Sequence, residues 1–216
     1  MVYKIVDKIA DGLKDLVFAD KVGGVAKKII ANIGGTQKTF PVYFNINQET
    51  CKTENYVDLV PDSSLKSIFY FEIIGQPSVV AANSRFIDFT STIRLIGWVN
   101  YRLINQGFYD SSLIEANIIK EIPERLDKID FMSAIHITFS ASVSKDDLFT
   151  GLSYNEPESQ FMTYPYDAFG LDYTIDYRIA TGCVNDVVIN TASCCDELKG
   201  IQIGTWTVGS NCEVIL

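Results

Sequence analysis

From Tyr3 to Val17 the apolar residues Ile5, Ile9, Leu13 and Leu16, with Val6 and Val17 beside them, recur at spacings of three and four. Lys4, Asp7, Lys8, Asp11, Lys14 and Asp15 fill the positions between. That period matches the 3.6-residue turn and predicts an amphipathic helix. Val22, Val25, Ile29 and Ile33 repeat the spacing up to Gly34-Gly35, a pair able to take the left-handed conformation that ends helices. A second helix is therefore expected over 22–33, weakened at Gly23-Gly24, which is read as a turn or a hinge.

After Gly35 the pattern turns to strands. Phe40 to Ile46 and Ser67 to Ile74 are apolar runs, the second bounded by Pro61-Asp62-Ser63 and Gly75-Gln76-Pro77. Arg85 to Ile104 is a long strand-like block. Ile93, Leu95, Val99, Tyr101 and Leu103 share one parity and Arg94, Trp98, Asn100 and Arg102 the other, with Gly97 expected to form a bulge. Ser112 followed by Glu115 fits a capping box ahead of the stripe Ile114, Ile118, Ile119, Ile122 and Leu126, which Pro123 is expected to interrupt after about three turns. Two clean alternations follow. Ile135, Ile137, Phe139, Ala141 and Val143 alternate with His136, Thr138, Ser140, Ser142 and Ser144; Leu171, Tyr173, Ile175, Tyr177 and Ile179 alternate with Asp172, Thr174, Asp176 and Arg178. Period two predicts half-buried antiparallel strands of one sheet. The result is an α+β fold: N-terminal amphipathic helices, then a mostly antiparallel sheet with one crossover helix. Residues 1–179 form the expected domain, and 180–216 a C-terminal extension or edge strands.

The chain has 216 residues, of which 47% are hydrophobic and 21% charged, the proportions of a globular protein. Eighteen basic against 27 acidic residues give a net charge of −9. A surface of that sign repels phosphate, which argues against a sequence-reading nucleic-acid binder. The charged N-terminus does not resemble a signal peptide, and no stretch reaches the roughly 18 apolar residues of a membrane helix, so neither export nor a membrane is expected. Cys51, Cys183, Cys194, Cys195 and Cys212 form an odd set without CxxC spacing. Reduced thiols are expected, with neither a disulfide framework nor zinc at the four C-terminal cysteines.

Signals for chemistry are sparse. His136, the single histidine, lies on the polar face of its strand among Thr138, Ser140 and Ser142, where a solvated side chain is the plain expectation. Asp172 and Asp176 stand roughly 13 Å apart along one strand, too far for shared acid–base work. Asp146-Asp147 and Asp196-Glu197 read as solvated acidic pairs. No phosphate loop, nucleophile elbow or dinucleotide fingerprint occurs. Neither enzyme activity nor a cofactor, catalytic residue or metal is expected.

Aromatic residues are the surplus: 11 Tyr, 13 Phe and 2 Trp. The excursion 144–170, with Pro157 and Pro165, is too long for a hairpin turn and is expected to be a contact arm. Tyr154, Phe161, Tyr164, Tyr166 and Phe169 are its candidate interface anchors, since tyrosine-rich segments give large contact area at low entropy cost.

The order of amphipathic helix, strands, long strand with Arg94 and Arg102, capped helix at Ser112, and paired strands ending in Asp172-Tyr173-Thr174-Ile175-Asp176-Tyr177-Arg178 resembles the tail-terminator and neck-ring proteins of tailed bacteriophages. Its Asn-, Ile-, Lys- and Tyr-rich usage is similar to virion proteins of crAss-like phages of gut Bacteroidales. The resemblance implies a structural virion protein, made in the host bacterial cytoplasm, whose copies form a homo-oligomeric ring in the neck or tail. Its partners would be portal, neck or tail proteins, and DNA would pass through the channel without sequence-specific binding. The alternative from a different class is a cytosolic, non-catalytic ligand- or protein-binding module with the aromatic excursion as a pocket lid.

Overall fold

The computed structural model describes residues 2–33, 35–44, 56–104, 111–126, 135–149, 152, 161, 163–180, 188–190 and 205–207. The first helix, α1 (Val2–Leu13), buries Val2, Ile5, Val6, Ile9, Ala10 and Leu13, the stripe its sequence encodes. It stops earlier than the apolar spacing predicts. Leu16 still packs against the core, but Val17 is 90% exposed.

The second expected helix is two strands, β1 (Lys21–Val25) and β2 (Lys27–Ile33). They belong to different sheets, and the chain crosses between them at Ala26, whose N–H donates to the Phe71 carbonyl. The crossing and a register shift between Val22 and Val25 break the alternation, so residues in strands fall at helix-like intervals. Gly23 and Gly24 are packing positions. A Cβ on Gly24 would strike the Asp7 carboxylate and the Tyr43 ring, and one on Gly23 would lie 3.0 Å from Tyr43 Cβ. β2 pairs antiparallel with β3 (Thr36–Phe44), with Gly35 at φ +83° in the turn between them, and β3 pairs with β4 (Tyr56–Asp58).

The main sheet adds β5 (Ser67–Ala82), β6 (Phe86–Asn100), β7 (Ile135–Val143) and β8 (Tyr166–Ala180) in the order β1-β5-β6-β8-β7. All its pairs are antiparallel except β1 with β5. The expected β7 and the expected pairing are borne out, with Ile137 opposite Ile175. Gly75-Gln76-Pro77 does not end its strand. The register shifts between Ile74 and Ser78, and β5 continues to Ala82. Nor is Gly97 a bulge, since it sits in unbroken register between Phe69 and Phe169.

The crossover helix α2 (Ser111–Leu126) joins β6 to β7, which run parallel on either side of β8. It starts one residue before Ser112 and continues through Pro123. Pro123 lies in the last turn, where only one intrahelical bond is forfeited. Ile114, Ile118 and Ile122 are its buried stripe. A four-residue helix, α3 (Lys145–Leu148), follows β7, and β9 (Val188–Asn190) pairs with β10 (Thr205–Thr207). The fold is α+β.

One core lies between the sheet and the two long helices, with Phe71, Ile93, Leu95, Leu171, Tyr173 and Ile175 facing α1 and α2. A smaller core covers the opposite face at one end only: Leu59, Ile68, Tyr70, Ile96, Trp98, Leu148 and Ala168. The sheet is therefore buried on both faces near Trp98 and on one face beyond it.

Candidate functional site

The second face of the sheet divides into an aromatic corner, a polar ladder and an exposed arm. At the corner Trp98 stacks on Tyr166 (5.3 Å, 19°) and meets the edge of Phe161 (6.0 Å, 81°), while Phe161 and Tyr166 lie 5.1 Å apart. Trp98 Nε1 donates to the Phe161 carbonyl at 2.7 Å, and Tyr101 N–H donates to the Pro165 carbonyl at 3.0 Å. These bonds fasten one end of the excursion to its own sheet.

The five candidate anchors therefore separate. Phe169 is core, 4% exposed, with its ring over Gly97. It is too deep to reach a partner, because β8 begins at Tyr166, earlier than the alternation from Leu171 implies. Phe161 and Tyr166 are half-buried on Trp98. Tyr164 is 74% exposed and stays available for an outside contact. Tyr154 lies outside the described residues.

Next to the corner runs a cross-strand row, Glu72–Arg94–Asp172. Arg94 Nε and Nη2 donate to the two Asp172 oxygens at 2.7 and 3.0 Å, a bidentate pair with both side chains mostly buried. Those hydrogen bonds raise the Arg94 pKa. Burial pushes the Glu72 carboxyl up, while Lys28 and Arg94 pull it back. The next row is neutral, Thr92–Thr174–Thr138, with Ser140 Oγ 2.9 Å from Thr174 Oγ1. Then Thr90–Asp176–His136 follows, and last Asp88–Arg178. Arg178 donates to both Asp88 oxygens at 2.6 and 3.1 Å and covers the Phe86 ring at 5.2 Å. These hydrogen bonds hold the Asp88 carboxyl below its ordinary range. Asp172 and Asp176 thus belong to separate rows with separate neighbours, as their spacing predicts.

His136 is exposed on this face and borders an open cleft of about 420 Å³ with Val80, Asp88, Asp176 and Arg178. Among the described residues no group of three or more His, Cys, Asp or Glu side chains is placed to hold a metal. All five cysteines lie outside the described residues, as do Asp196 and Glu197. Among the described residues no helix is long and apolar enough to cross a membrane.

The arm is the far half of the β5–β6 hairpin. Every residue of β5 from Ile74 to Ala82 is exposed, including Val79 (58%) and Val80 (66%). The turn is tied by Asn83 Oδ1, which accepts from the Arg85 and Phe86 N–H groups at 2.8 Å each. Sequence reasoning placed the end of the strand at Gly75 and so missed this surface. Arg102, paired in sequence with Arg94, lies past the end of β6 and takes no part in the ladder.

No protein-family model matches the chain, and no curated protein matches it in sequence.

Proposed function

We propose that the chain is a structural virion protein, a ring subunit in the neck or tail of a tailed bacteriophage that joins the portal and head to the tail around the DNA channel. The observation that carries this reading is the exposed outer strand of the β5–β6 hairpin, where the apolar Val79 (58%) and Val80 (66%) face solvent at the rim of the main sheet. Apolar side chains exposed side by side at a sheet rim favour contact with a neighbour. The element order supports the resemblance as well, since α1, strands, the Arg94-bearing β6, α2, β7 and β8 occur in the order on which it rests. A net charge of −9 per copy suits a channel wall past which phosphate slides without adhering.

A second reading, a non-catalytic binding module, is favoured by the cleft at His136, Asp176 and Arg178. The mass of the purified chain in solution separates the two. A ring subunit assembles into large closed oligomers visible in electron micrographs, whereas a binding module stays a monomer. Protection of 144–170 from protease only on assembly is the second expected result.

A further inference from the structure

We draw no further inference here: the strongest candidate, the open cleft at the far end of the main sheet bordered by Val80, Asp88, His136, Asp176 and Arg178, belongs to the site already described, and with Asp88 and Arg178 satisfying each other and His136 and Asp176 exposed, nothing in the structure shows what would occupy it.

Discussion

The ring of Phe169 lies directly over the α-carbon of Gly97, so that a Cβ at position 97 would come 2.5 Å from Phe169 Cζ. Phe69 meets the same ring at 6.3 Å. Gly97 is thus a packing position on a regular strand. Gly97→Ala should destabilise the fold by roughly 1–3 kcal/mol, the usual cost of overpacking. Chemical denaturation of Gly97→Ala, Phe169→Leu and the double variant should show a cycle in which the smaller side chain recovers much of the loss.

Arg94 and Asp172 form the central charge pair of the sheet's second face. Arg94→Met strands Asp172 beside Glu72 and should lower stability by about 1–3 kcal/mol, less than a fully buried pair because both retain some solvent. Arg94→Lys should recover part of this, since an ammonium cannot reproduce the bidentate fork. Urea titration of both variants is the measurement.

Tyr173 is fully buried, its ring edge-on to Phe139 at 5.8 Å, and among the described residues its hydroxyl has no hydrogen-bond partner. Burial pushes its pKa well above the ordinary tyrosine range. Tyr173→Phe removes a desolvated hydroxyl and keeps the ring, so it should leave stability unchanged or raise it by about 1 kcal/mol. A clear loss in thermal unfolding would contradict the unsatisfied hydroxyl.

Asp7 sits against Gly24 and accepts a hydrogen bond from Tyr43 Oη at 3.1 Å. Burial raises its pKa, with Asp11 adding to the rise and Tyr43 opposing it. A raised carboxyl pKa means that the folded state binds the proton more tightly than the unfolded one. The contribution is therefore present below the unfolded value and lost as pH rises through the folded one. Asp7→Asn should melt higher than wild type at pH 7, and the difference should vanish below about pH 3, where the acid is protonated in both states.

Tyr164 and Phe169 were alike as aromatic candidates and should behave differently. Tyr164→Ala should leave the melting temperature unchanged and weaken assembly at least about tenfold, as truncation of an interface anchor does. Phe169→Ala should lower stability by roughly 3–5 kcal/mol, the cost of a core cavity, before assembly can be measured. Equal assembly by Tyr164→Ala and wild type would remove Tyr164 from the interface.

The sequence by itself determined the elements whose buried side is single. α1, the Ile114–Ile118–Ile122 stripe of α2, and the alternations of β7 and β8 are legible because one face meets apolar neighbours and the other meets water. Period then records orientation. Where the chain changes sheet at Ala26, the parity breaks, and only the partners Phe71 and Val42 reveal strands in place of the helix that the spacing of Val22, Val25, Ile29 and Ile33 implies. Trp98 and Ile96 sit on the face opposite Val99 and Leu95, and no local pattern announces that the sheet is covered on both sides there, because that cover comes from Leu59, Leu148 and Phe161, distant in sequence. The pairing of Arg94 with Asp172 and of Arg178 with Asp88, the closeness of Phe169 to Gly97, and the exposure of Val79 and Val80 are likewise set by register between strands up to 90 residues apart. Side-chain pattern fixes which way a residue faces; what it faces is decided only when the strands align.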